Sequence, residues 1–379
     1  MAERFDVVVA GGGAMGSAAT WQLSRRGARV LCLDRFAPPH SLGSSHGSTR
    51  IIREAYFEAP LYVPLVRRAY QLWNALGRNV AKQPLYTLTG GAYIGSARSA
   101  LIRGVLASVN EHRIAHDVLE PGALRERYAA LQPGRGMMAV VEERAGFVHV
   151  DAAIRAMRNG ATADGARFID HDPAESFAVE GDSVRIRTAR HEYSADRLVI
   201  AAGAWIRELV PSIARVFTVQ RQVTSWCQAR GPGVSPNEIP VSIWELRSGK
   251  AFYTIPDEGE GEGFKIGIHY GGDLVSVAEL NREVSAAESS KARALLEKYI
   301  PPAAGDVLKA SVCMYTNTPD LHFVVDWLPD SRQRVLVLSP CSGHGFKFAP
   351  AIGEIGAQMV TSGASDFDIV PFRLSRFGS

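Results

Sequence analysis

The sequence predicts a two-domain α/β fold, α+β in its layout, and three features predict it. A β-branched run breaks into glycines near the N-terminus, a second strand, glycine loop and helix lie near the C-terminus, and runs of alternating hydrophobicity fill the stretch between them. The chain has 379 residues, beyond the roughly 250–300 at which a single core stops growing, so two domains are expected.

Phe5 to Ala10 reads as a strand, and Gly11-Gly12-Gly13-Ala14-Met15-Gly16 follows it directly. A helical stretch from Ser17 to Arg26 ends at Gly27, where a left-handed C-terminal residue is expected. Val30 to Leu33 is a second buried strand, and it ends on Asp34. This is G-x-G-x-x-G in strand, turn, helix and strand context, with an acid at the end of the second strand: a Rossmann-like dinucleotide fingerprint. Gly11 permits the tight turn, Gly13 lets backbone approach a pyrophosphate, and Gly16 lets helix and strand close up. The helix N-terminus offers N–H donors to the phosphates, and Asp34 accepts from a ribose hydroxyl. Met15 and Arg35, beside the turn and the acid, are counted with the cofactor-binding set.

The fingerprint does not separate NAD from FAD, since both carry the same adenosine diphosphate half. A nicotinamide enzyme would continue with another crossover unit, whereas Phe36 to Tyr56 is polar and rich in glycine and proline, which favours FAD. Within it, Gly43-Ser44-Ser45-His46-Gly47 matches the G-x-S-x-G nucleophile pattern, but no strand leads into it, so it reads as coincidence.

Farther along, Val150 to Asn159 reads as an amphipathic helix, and Ser176–Val179 with Val184–Arg187 as a hairpin turning at Gly181-Asp182. Arg197 to Ala201 and Val335 to Leu338 are buried strands, the latter leading through a glycine loop into a helix from about Ala349 to Thr361. The FAD-binding domain is therefore discontinuous, assigned to 1–85, 144–216 and 316–379. Residues 86–143 and 217–315 form a substrate domain on an antiparallel sheet, with strands at Gln222–Cys227, Ala251–Ile255 and Phe264–His269.

Composition excludes other classes. Hydrophobic residues make up 46% and charged residues 21%, ordinary globular usage. Lys plus Arg number 42 against 39 for Asp plus Glu, a net charge of +3 that marks neither nucleic acid nor membrane as a partner. The four cysteines lie far apart with no zinc-site spacing, so no metal is expected. Glu3, Arg4 and Asp6 precede a short apolar run, the pattern of neither a signal peptide nor an anchor, and reduced thiols in a cytoplasm are expected.

Five segments, FDVVVAGGGAMGSAA, PPHSLGSSHGSTRIIREAY, GFKIGIHY, SVCMYTNTPD and SGHGFKF, make the chain resemble, over nearly its whole length, the monomeric sarcosine oxidase and N-methyltryptophan oxidase family of D-amino-acid-oxidase-like flavoproteins. The resemblance implies an oxidase of a small secondary amino acid, N-methyl or cyclic: a hydride equivalent passes from the neutral amine to FAD, water hydrolyses the imine, and oxygen becomes hydrogen peroxide. It also implies a monomer. By the resemblance Cys313 carries FAD through a thioether, although on its own this residue reads as a small buried hydrophobe. Arg53 and Lys347 match the clamp on the substrate carboxylate, so an amine lacking that group would leave both cations unpaired. Lys265 matches the lysine that assists reaction with oxygen, and His269 an active-site histidine on the same strand face. His46 and Arg50 match residues near the flavin that support attachment. Tyr253, Tyr315 and Thr316 match pocket-lining positions, while Gly343, Gly345, Phe346 and Lys347 form the second cofactor loop. Trp244, aligned where sarcosine oxidases carry a slimmer methionine, is assigned to the substrate pocket. With Glu54, Phe57 and Pro60 it departs from the sarcosine oxidase pattern and puts sarcosine in doubt. A flavin dehydrogenase using another acceptor and a non-catalytic FAD-binding protein are the alternatives.

Overall fold

Strands buried on both faces lose the alternation of half-exposed ones, and the centre of the first sheet is built from such runs. The computed structural model describes residues 3–259 and 261–378. In it Glu3–Ala10, exposed at its start and buried at its end, pairs in parallel with Val30–Leu33 on one side and Glu192–Ile200 on the other. Val335–Ser339 extends the parallel core beside Glu192–Ile200. The antiparallel hairpin Ser176–Glu180 and Ser183–Arg187, with Arg167–Ile169 and Val324–Trp327, completes an eight-stranded sheet. Helix Ala14–Ser24, rich in small residues, is buried almost all round because it packs between Val150–Ala163 and Ala349–Ser362.

The second sheet has nine strands. At its heart Thr218–Cys227 runs antiparallel to Val307–Asn317 along nearly its whole length and to Phe264–His269 on its other side. Ala251–Ile255, Val241–Glu245, Gly91–Gly95 and Met138–Glu142 follow in order. Helices Ala100–Glu111 and Ala286–Tyr299 pack against this sheet, the latter opened by a capping box between Ser285 and Glu288. A small three-stranded sheet of Thr49–Ile52, Gly146–His149 and Tyr86–Leu88 lies where the chain passes between the large ones. Each large sheet has an apolar cluster of its own, and a third, larger cluster takes residues from both, in a two-domain α/β fold. Among the described residues no helix is long and apolar enough to cross a membrane, and no cluster of metal ligands is present.

Candidate active site

The turn after the first strand is shaped for a phosphate. Gly11 has φ +103°, which a side chain rarely adopts, and a Cβ on Gly16 would lie 1.6 Å from the Gly11 carbonyl oxygen, so the strand and helix meet only because both are glycine. The helix that follows has no side-chain bond from its N-cap residue and no acid in its first turn, and Ala14 N–H makes only a long bond of 3.4 Å to Ser45 Oγ, so its N-terminus suits an anion. Asp34 accepts from Gly12 N at 2.5 Å and Phe36 N at 2.7 Å, while burial raises its carboxyl above the usual range. Gly11, Gly13, Met15, Asp34 and Arg35 all line one cavity of about 400 Å³. Uncapped helix donors, glycine backbone and a ribose-accepting acid fit an adenosine dinucleotide.

The same cavity reaches the antiparallel sheet. Cys313 and Tyr315, two apart on one strand, line it together with Thr316. Arg50 Nη2 approaches Cys313 Sγ at 3.7 Å, and the Ser44 carbonyl lies 3.6 Å from the sulfur. The Tyr315 hydroxyl meets His269 Nδ1 at 3.1 Å. Burial lowers His269 to about 4, so its ring is neutral at ordinary pH. Tyr253 lines the cavity one strand away. The loop that carries Lys347 lies flat on Tyr315: Gly343 has φ +78°, and a Cβ there would sit 2.4 Å from the ring. Gly345 and Phe346 line the cavity too, Phe346 stacked near-parallel on Trp73.

Arg53 and Lys347 meet in this cavity, both buried, but in unlike circumstances. Lys347 Nζ donates to the His344 carbonyl at 2.8 Å and to the Tyr56 hydroxyl at 3.5 Å; burial first, then Arg53, pushes its pKa well below the ordinary value. Arg53 does not stand unpaired, contrary to the expectation from sequence. Its Nη2 binds both carboxylate oxygens of Glu58, at 2.8 and 2.6 Å. Burial alone would raise Glu58, but the Arg53 guanidinium holds it at about 2 and therefore ionised. Glu58 is a site residue that sequence reasoning missed, as are Ile243 and His344 on the cavity wall, and the one signal for Glu58 was a second acid close behind Arg53 on the same loop.

Trp244 needs correction. Alternation along Val241–Glu245 turns Ile243 into the cavity and Trp244 to the opposite face, where it stacks on Phe252 and donates to Ser242 Oγ at 2.7 Å. Glu54 likewise turns from the cavity toward Arg67 and Arg144. Two other expected residues stand behind the cavity wall. Lys265 shares a strand face with His269 but donates to the Gly47 and Thr49 carbonyls at 2.6 and 2.7 Å. Burial, then Arg50, lowers its pKa well below the ordinary value. His46 lines a separate cavity of about 290 Å³ beside Trp226, with burial, then Arg50 and Lys265, lowering it to about 3.

Residues 6–359 match the family of FAD dependent oxidoreductases. The chain is 38% identical to a monomeric sarcosine oxidase of Streptomyces avermitilis, over 96% of each chain. It is 34% identical to an N-methyl-L-tryptophan oxidase of Escherichia coli, over 99% of this chain and 100% of that one. Among solved structures, the unusual amino acid oxidase NikD, essential for nikkomycin biosynthesis, superposes with a TM-score of 0.86 at 21% identity, over 98% of this chain and 97% of that one, a likeness of fold. A dinucleotide cradle joined through one cavity to a buried cationic pocket, with full-length similarity of this degree, leads to one conclusion: the chain belongs to the FAD-dependent oxidoreductase family typified by D-amino-acid oxidase and is an FAD-dependent amine oxidase.

Proposed function

We propose that the chain oxidises the C–N bond of a small secondary amino acid, N-methyl or cyclic, to an imine that water then hydrolyses, with oxygen taking the electrons and leaving as hydrogen peroxide. The observation that carries this reading is that one cavity joins the glycine turn to Arg53 and Lys347. FAD supplies the two-electron relay between amine and oxygen. Gly11, Gly13, Met15, Gly16, Asp34 and Arg35 would hold its adenosine half, with Gly343, Gly345 and Phe346 nearer its ring. Cys313, beside Arg50, is the residue for its covalent attachment, and His46 supports that region. The similar proteins named for sarcosine and N-methyl-L-tryptophan favour an N-methyl substrate.

Arg53 and Lys347 hold the substrate carboxylate. Glu58 holds Arg53 through Nη2 alone, and Nη1 goes to the Ala55 carbonyl, so an incoming carboxylate competes with Glu58 for the guanidinium. Two cations and an uncharged His269 then surround the amine, an environment that disfavours its ammonium form and keeps it ready for oxidation. Tyr315 orients His269, and Tyr253 and Thr316 shape the wall. With Trp244 and Glu54 both facing away, Phe57 and Ile243 are the side chains on which the choice of substrate rests. Lys265 is assigned to the oxygen reaction, where a cation stabilises the superoxide formed first.

The deciding experiment is anaerobic flavin reduction by amino acids such as L-proline and N-methyl-L-alanine, each against its decarboxylated amine. The amino acids should be much the better, and Lys347→Met should weaken their binding roughly 10- to 150-fold. If the decarboxylated amines reduce the native enzyme equally well, the amino-acid assignment fails.

A further inference from the structure

Arg53 and Lys347 both rest on a side chain that is not part of the clamp. Tyr56 is completely buried. Its ring lies against the Arg53 guanidinium, 3.9 Å from Cζ to the ring centroid, and its hydroxyl stands 3.5 Å from Lys347 Nζ and 2.7 Å from His344 Nδ1. Chemistry fixes the direction of these bonds. His344 Nε2 lies 3.1 Å from the Leu321 carbonyl oxygen, which only accepts, so the proton of the neutral ring is on Nε2 and Nδ1 is an acceptor. Burial holds His344 at about 3 and thus neutral. Tyr56 therefore donates to Nδ1 and turns a lone pair to Lys347.

A one-way chain results, from Lys347 to Tyr56 to His344 to the Leu321 carbonyl. His344 holds the lysine a second time through its own carbonyl oxygen, and Trp73 Nε1 fixes the Lys347 backbone oxygen at 2.9 Å. An ammonium has three donors; two are engaged here, which leaves one for a ligand. Neither Tyr56 nor His344 is needed to contact a carboxylate for this to matter. We propose that Tyr56 and His344 are positioning residues that set the aim and the free donor of the Arg53 and Lys347 pair for a substrate carboxylate. The inference rests on the reading of that pair as a carboxylate clamp.

Packing is the plain alternative, since Tyr56 also sits among Tyr62 and Phe348. Tyr56→Phe separates the two, because it keeps the ring and its contact with Arg53 and removes only the hydroxyl. The test uses FAD-loaded enzyme. Acetate is titrated against the visible flavin spectrum, and anaerobic reduction is followed with the amino acid that reduces the flavin fastest and with its decarboxylated amine. Tyr56→Phe should weaken acetate about tenfold and raise the Kd of the amino acid similarly, with a limiting rate near native and the decarboxylated amine unaffected. His344→Leu should do the same, while His344→Asn, whose amide oxygen can stand in for Nδ1, should restore most of the affinity. Should Tyr56→Phe not fold, the two His344 variants carry the same comparison.

Native affinity for acetate in Tyr56→Phe and His344→Leu overturns the inference. So does an equal loss with both amines, which is the mark of a packing role. If the native enzyme itself binds no acetate and treats the two amines alike, the clamp falls and this inference with it.

Discussion

At the scale of the residue, Cys313 shows how far the sequence could be read and where it stopped. In isolation its letter says small and buried, and it is both. Only its segment, SVCMYTNTPD, gave it a chemical role, and the structure adds the Arg50 guanidinium beside the sulfur. Cys313→Ala should leave a protein that still takes up FAD but releases it on acid precipitation, whereas native protein keeps its colour in the pellet. Native protein that gives all its flavin to the supernatant would remove Cys313 from this role. Glu58 was harder to see, because an acid in a polar loop is usually solvated. Its meaning depends on a contact with Arg53 that the fold makes and spacing does not announce. Trp244 erred by a single position, since in a strand one residue is the whole difference between cavity and core.

At the scale of the element, legibility followed context. The glycine turn, the hairpin at Gly181-Asp182 and the small-residue helix Ala349–Ser362 carry their own punctuation and stand close to where the pattern put them. The helices Tyr62–Leu76, Ala100–Glu111 and Ala286–Tyr299 went unassigned: they take their place from the surfaces they cover, and the last two lie in stretches read by their alternating runs. The turn also allows a sharp test. Gly16→Ala puts a methyl group 1.6 Å from the Gly11 carbonyl oxygen, against backbone that cannot yield without opening the turn. Purified Gly16→Ala should carry less than about a tenth of the native flavin, consistent with a cost of at least 1.4 kcal/mol, while circular dichroism shows the fold retained. Full flavin content in this variant would mean that the turn does not hold the cofactor.

For the whole molecule, burial of neutral histidines makes acid the weak side. His46, His269 and His344 are lowered to about 3, 4 and 3, so between the unfolded value near 6.5 and those figures the unfolded chain binds protons that the native one refuses. Their contribution is complete above pH 6.5 and is lost on acidification, at about 1.4 kcal/mol per pH unit for each group. Glu142, raised to about 7 by burial, runs the other way over about 4.5 to 7 and offsets one of the three. Urea midpoints should therefore fall steadily from pH 7 to 5, and His344→Asn should flatten the fall; a flat native profile would contradict the buried neutral state. The first strand has a different consequence. Glu3–Ala10 emerges early in synthesis, yet its partner Glu192–Ile200 and the loop of Gly343 to Lys347 come from much later in the chain. At roughly 5–20 residues per second, the nucleotide turn waits about ten seconds or more for the strand beside it, and the site closes only when nearly the whole chain has left the ribosome. Flavin capture is thus a late event in biogenesis, and a nascent chain truncated before Val335–Ser339 should emerge colourless however complete its glycine fingerprint.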